Sequence, residues 1–311
     1  MRIGLSIRAL LLLGLLSACE KEFIPDVTTE REELVVEGFI EAGERSLPPY
    51  VILMRNLPFF TELEADNLES IFVHGADVRV SDGEQTVQLT ELCLAELNSE
   101  QQELAGLLLG INPDSLGFNF CAYADLSGQM RGKIGKRYDL EVEAEGRQLS
   151  ASTVIPPLVE LDSLVFVEPP GEPTDTLAQL RCILEDPADQ VNYYRYFTGI
   201  NSGPLQSGLN SVVDDRLFDG RRFEFPLFKA EPRNGEFDPA TFGLFRRGDT
   251  VTVKWANIDQ KHYDFWNTLE FNAANQGPFS SYTRVASNVS GGLGIWGGLS
   301  AAYYTEVAPE E

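Results

Sequence analysis

Residues 138–157, YDLEVEAEGRQLSASTVIPP, decide the fold class. Tyr138, Leu140, Val142 and Ala144 alternate with the acids Asp139, Glu141 and Glu143. Successive side chains of a strand point to opposite faces, so this run builds one apolar and one charged face. Glu145-Gly146 turns the chain, and Leu149 to Ile155 return. Pro156-Pro157 ends the run, because proline lacks the N–H that a ladder needs. We place a domain boundary there.

The same alternation extends upstream. Asp77 to Leu89 reads as a second hairpin, with Val78 and Val80 going out, Asp82-Gly83 turning, and Val87 and Leu89 returning. Leu34 to Ile40 is a compact apolar strand. Between the two hairpins lies an insertion of different character. Ser99 and Gln102 have capping-box spacing, and Leu104, Leu107 and Leu108 follow at helical intervals, which predicts a short helix.

Downstream of the prolines, strands are expected at Leu161 to Val167, Thr176 to Leu184, Asn192 to Ile200, Arg222 to Phe228 and Thr250 to Trp255. One helix is expected from about Asp259 to Ala274, with Asp259 as cap and Tyr263, Trp266 and Leu269 on one face. His262 is placed on its polar face. The pattern predicts a mainly β protein with two tandem β-sandwich domains of immunoglobulin or fibronectin type, residues 34–157 and 158–311.

The first residues have another character. Arg2 and Arg8 precede an apolar run, Ala9 to Leu16, too short for the roughly 20 residues a membrane span needs. Leu16-Ser17-Ala18-Cys19 follows as a lipobox: small residues enter a peptidase cleft, and the cysteine thiol takes the lipid. Residues 1–18 are therefore read as a signal peptide, Cys19 as the lipidation site, and 19–33 as a tether. Several acyl chains, at about 0.8 kcal/mol per buried methylene, hold such a chain to a membrane. Glu20 and Glu22, just behind the cysteine, resemble the signal that carries some Bacteroidota lipoproteins to the cell surface.

Charge narrows the partners. The chain carries −24, and removing Arg2 and Arg8 without any acid takes it to −26. Such a body is repelled by nucleic acid and by anionic headgroups, so lipid and not a basic face must supply the membrane contact. Cys93 and Cys121 flank the irregular insertion, and a disulfide between them is expected, with unpaired thiols as the alternative. Cys182 lies in an apolar stretch and reads as a core thiol.

The chemical motifs are sparse. Gly292-Leu293-Gly294-Ile295-Trp296-Gly297 spells the dinucleotide fingerprint, but Leu299 to Val307 reads as a strand where a helix N-terminus must meet the pyrophosphate. Those glycines read instead as close backbone packing or a bulge near a sheet edge. The two histidines, His74 and His262, form no zinc motif, and no Gly-x-Ser-x-Gly elbow exists. Asp214, Asp215 and Asp219 form the densest acid group, as calcium ligands or as solvated loop acids. In the run Tyr193 to Phe197, packing is the favoured role, with Tyr194 and Tyr196 as candidate ligand contacts if exposed. No catalytic residue and no cofactor is expected.

Several phrases recur together in order: Leu34-Val35-Val36-Glu37-Gly38; Gly135-Lys136-Arg137-Tyr138-Asp139-Leu140; Asp186-Pro187 with Asn192-Tyr193-Tyr194; Gly277-Pro278-Phe279; and Asn288 to Gly298. With Cys19 and its acidic tail they resemble a Bacteroidota lipoprotein family known as a domain of unknown function. Its members are often encoded beside TonB-dependent outer-membrane receptors. The insertion from Cys93 to Cys121 lies outside the matched phrases. The resemblance implies a non-enzymatic accessory lipoprotein of the outer membrane, partnering such a receptor in nutrient capture or assembly. A stand-alone surface module binding glycan or peptide is the alternative. A hydrolase built on paired carboxylates is the third reading.

Overall fold

The structure, a computed structural model, describes residues 32–57, 65–171, 175–208, 210–231, 238–274 and 284–310. The expected signal peptide, Cys19, the tether up to residue 31 and Gly277-Pro278-Phe279 lie outside them. Glu32–Glu311 form one compact unit.

In chain order the first part runs β1 (Leu34–Ala42), β2 (Tyr50–Arg55), α1 (Ala65–Ser70), β3 (Asp77–Ser81), β4 (Thr86–Gln88) and β5 (Thr90–Cys93). Next come α2 (Ser99–Leu109), α3 (Pro113–Leu116), β6 (Cys121–Ala124), β7 (Arg137–Ala144) and β8 (Arg147–Val154). The second part holds β9 (Leu161–Val167), β10 (Leu177–Glu185), β11 (Tyr193–Ile200), β12 (Val212–Asp214) and β13 (Arg222–Leu227). It closes with β14 (Phe245–Arg246), β15 (Thr250–Ile258), α4 (Gln260–Ala274) and β16 (Leu293–Val307). The protein is mainly β, in a sandwich-like arrangement of sheets.

The largest sheet has eight strands in the order β12-β11-β15-β16-β1-β2-β6-β5. It draws on both sides of Pro156-Pro157. A four-stranded sheet, β4-β3-β7-β8, and another in which β10 pairs with β9, β13 and β14, each draw on one side alone. The prolines end β8, as their chemistry requires, but they separate only the two small sheets. The join is β16: its first half pairs in parallel with β1, from Val35↔Leu293 to Ala42↔Ser300, and its second half pairs antiparallel with β15.

The deciding hairpin behaves as its residues dictate. Glu145 (φ 53°) and Gly146 (φ 70°) both adopt left-handed backbone, the geometry of a two-residue turn that matches strand twist. Tyr138, Leu140, Val142 and Ala144 are buried beneath β1 and β2 together with Val36, Ile40, Val51 and Leu53. The other hairpin turns over four residues, because the Asp82 carboxylate accepts from the amides of Glu84 and Gln85. A second core forms where Leu180, Cys182, Leu184 and Phe245 of the other small sheet meet Tyr194, Val251, Val253 and Trp255. Burial pushes the free Cys182 thiol up to about 12.

The glycine block is strand, and it sits at the centre of the large sheet, not near an edge. Gly294 has φ +109°, and a Cβ there would lie 1.9 Å from the Val36 carbonyl oxygen. Only glycine lets β1 and β16 close at that point. Trp296 beside it is fully buried, and its indole N–H donates to the Tyr138 carbonyl at 3.2 Å.

In the insertion, α2 begins one residue earlier than the capping-box spacing predicts. Asn98 is the cap, with Gln101 reaching back to its amide. Cys93 and Cys121 are joined by a disulfide between adjacent strands β5 and β6. Among the described residues, no helix is long and apolar enough to cross a membrane.

Candidate functional site

The two small sheets cover one face of the eight-stranded sheet. On the other face α4 packs Phe265 and Trp266 onto Phe39, Ala256, Ile258, Ile295 and Leu299. The helix starts where Asp259 caps it, its carboxylate accepting from the His262 amide at 2.8 Å and from the Thr153 hydroxyl at 2.8 Å. Tyr263, Trp266 and Leu269 do share its inward face. His262 shares it too, and is fully buried rather than on the polar side. The reason is spacing: His262 and Trp266 lie one turn apart. Both stack on Phe39, at 5.2 and 6.5 Å.

Beyond α4 the sheet face stays open and floors a cavity of about 640 Å³. Its walls are α4, Leu109 and Gly110 at the end of α2, and residues 205–207. Cross-strand pairing arranges the floor. Phe197 pairs with Lys254 and Lys254 with Tyr303, so an aromatic, a cation and an aromatic lie side by side on three neighbouring strands. The Lys254 ammonium stands 5.5 Å from the Phe197 ring centre and 5.6 Å from that of Tyr303. The Arg195 guanidinium lies 3.6 Å over Trp266 and 4.7 Å over Phe197.

The charges in this cavity are matched. Lys254 Nζ contacts Glu41 Oε2 at 2.5 Å, and the Tyr303 hydroxyl donates to Glu41 Oε1 at 2.9 Å. Arg195 Nε donates to the Ser211 hydroxyl at 3.1 Å, and Ser211 in turn donates to the Glu270 carboxylate. Glu231 takes Lys229 at 3.1 Å and the Gly243 amide. His262 is different. Burial, with the nearby Arg195 charge, holds its imidazole well below the ordinary range, so it is neutral near pH 7. Neither of its ring nitrogens, nor the Trp266 indole N–H, has a hydrogen-bond partner among the described residues.

The candidate ligand contacts Tyr194 and Tyr196 are not at this site. Tyr194 is fully buried, stacked 5.0 Å from Trp255, with its hydroxyl donating to Asp186. Tyr196 packs against the same core, and burial pushes its hydroxyl up to about 12. Alternation explains the correction. Even-numbered residues of this strand face the core, and Arg195 and Phe197 between them face the cavity.

The three candidate calcium acids separate. Asp214 is committed to Arg216, which holds its carboxyl below the usual range, and to the Tyr263 hydroxyl at 3.0 Å. Asp215 and Asp219 come together with Asp186 instead, their oxygens within 4.8 Å of one another. Asp215 accepts from the Asn192 amide, and Asp186 from Tyr194 and the Gly220 amide at 3.1 Å. These bonds tie the turns flanking β11. None of the three lines the cavity.

A family model described as Domain of unknown function (DUF4249) matches residues 20–305. The chain belongs to that family. No curated protein matches it. The match begins one residue after Cys19 and ends at residue 305 within β16, so every residue lining the cavity of this DUF4249 domain falls within it. Sequence reasoning does not find the cavity residues. The signal available is a single lysine and two acids, Lys254, Glu37 and Glu41, alternating with apolar residues in otherwise hydrophobic strands.

Proposed function

We propose that this chain is a non-enzymatic accessory lipoprotein of the outer membrane, which binds a small ligand in the cavity beside α4 and works with a TonB-dependent receptor in nutrient capture. The observation that carries it is the cavity itself. About 640 Å³ falls within the ~300–1,000 Å³ of small-molecule sites, and its lining sets aromatic rings among charged side chains. Support for the membrane and receptor comes from the lipobox at Cys19, the acids behind it, and the family resemblance.

Two measurements test this. Cys19→Ala is expected to move the chain from the membrane fraction to the soluble fraction. Crosslinked membranes are expected to yield a TonB-dependent receptor with the affinity-purified protein, and recovery of none overturns the partnership. A stand-alone surface module binding glycan or peptide is the second reading.

A further inference from the structure

We infer that the cavity takes a short, uncharged saccharide. The assignment rests on the reading of the cavity as a ligand site and names the chemistry it selects.

The first ground is charge closure. The lining carries three carboxylates, Glu37, Glu41 and Glu231, against three cations, Arg45, Arg195 and Lys254. Lys254 is matched by Glu41, Arg195 by the Ser211–Glu270 pair, and Glu231 by Lys229. Glu37 is also engaged. Arg45 lies at the exposed rim, 5.4 Å from the Tyr303 ring. Inside that rim a ligand with net charge meets no open counter-charge, and a charge desolvated that way is strongly disfavoured. A wholly apolar ligand fits no better, since it would strip water from the Glu41–Lys254 pair and give no hydrogen bond back.

The second ground is what the walls leave unmet. The Trp266 indole N–H is buried at the helix wall without a partner among the described residues, and the His262 imidazole beside it has the Gly298 backbone near. Neutral imidazole offers one donor and one acceptor. Hydroxyl groups both donate and accept, so a polyol seated against the helix wall can answer the indole N–H without bringing charge.

The third ground is shape. Phe39, Tyr50, Phe197, Trp266 and Tyr303 all line the cavity. The ring surface that Arg195, Lys254 and Arg45 leave uncovered suits the C–H face of a pyranose, while the sugar hydroxyls turn to the polar groups between the rings.

The test uses the full lipidated chain in nanodiscs, free of sugar-headed detergent. Glucose, maltose, cellobiose, lactose and raffinose are titrated alongside sialyllactose and zwitterionic trialanine. Of the three tryptophans, Trp255 and Trp296 are in the cores and Trp266 lines the cavity, so indole emission reports on the site. At least one neutral sugar is expected to shift that emission and to release heat by calorimetry. Trp266→Phe should remove the shift. Phe197→Ala should weaken binding about tenfold, near 1.4 kcal/mol, with circular dichroism unchanged. Tighter binding of sialyllactose or trialanine than of any neutral sugar overturns the saccharide assignment and leaves the cavity a ligand site. Silence across all seven probes overturns the assignment and counts against the ligand site as well, while receptor recovery from membranes is scored independently.

Discussion

On β1, Leu34, Val36 and Ile40 point into the core under the sheet β4-β3-β7-β8, while Glu37, Phe39 and Glu41 line the cavity on the opposite side. The division repeats along the sheet. Val251, Val253 and Trp255 of β15 face a core, and Lys254, Ala256 and Ile258 face the cavity. On β11 Tyr194 is inside, and Arg195 and Phe197 look the other way. One face is therefore filled with hydrocarbon, and the other stacks cations on aromatic rings and pairs them with acids. Period-two geometry lets one strand serve both. The core face fixes where the strands lie, and the cavity face inherits that position.

The two faces should fail in different ways. On the core face, Trp296→Ala removes a fully buried indole and its bond to Tyr138. Urea unfolding is expected to show a loss of about 3–5 kcal/mol. On the cavity face, Lys254→Met strands Glu41, which is 4% exposed, without its cation. A loss of about 3 kcal/mol is expected. Here, unlike in the core, a second change restores it: adding Glu41→Gln to Lys254→Met should return most of the stability. A double variant as unstable as the single one would show that the pair is not an isolated electrostatic unit.

A smaller difference appears with pH. Burial and Arg195 hold the His262 imidazole well below its ordinary range. The unfolded chain takes up a proton near pH 6.5, and the folded chain does not. Stability from this residue is thus full above about 6.5 and falls as pH drops below it, by up to about 1.4 kcal/mol per pH unit. His262→Asn should flatten that slope between pH 6.5 and 5, read as urea midpoints. An unchanged slope would assign the acid sensitivity to other groups.

These faces were unequally legible from sequence. Alternation exposes strands such as β7 and β8 because one side is plainly charged. It misses β2, Tyr50-Val51-Ile52-Leu53-Met54-Arg55, where both sides meet protein and the run is continuously apolar. The glycines of β16 are a similar case: their absent side chains answer to Val36 and His262, residues far away in the chain. Tyr194 and Tyr196 attract attention as aromatic pairs, yet a strand's inner and outer residues cannot be told apart until its register is known. The shared sheet hides for the same reason. Nothing local in Leu34–Ala42 announces a parallel partner some 250 residues on. The acids of Glu37 and Glu41 were visible; which of the chain's many acids share a cavity with a lysine was not.

Tyr303→Phe gives the finest test of the comparison. Tyr303 lies on the cavity face, and its hydroxyl donates to the same carboxylate that holds Lys254. Removing the hydroxyl leaves Glu41 its cation and leaves the ring beneath Lys254 and Arg45. Only one hydrogen bond to a charged acceptor is lost, so about 1–2 kcal/mol is expected, below the Lys254→Met effect. If Glu41 and Lys254 form the working unit of this face, Tyr303→Phe in the Glu41→Gln/Lys254→Met background should fall to about 1 kcal/mol or less, because the charge that strengthened the bond is gone. Equal losses in both backgrounds would mean that the Tyr303 hydroxyl contributes independently of the Glu41 charge and its lysine.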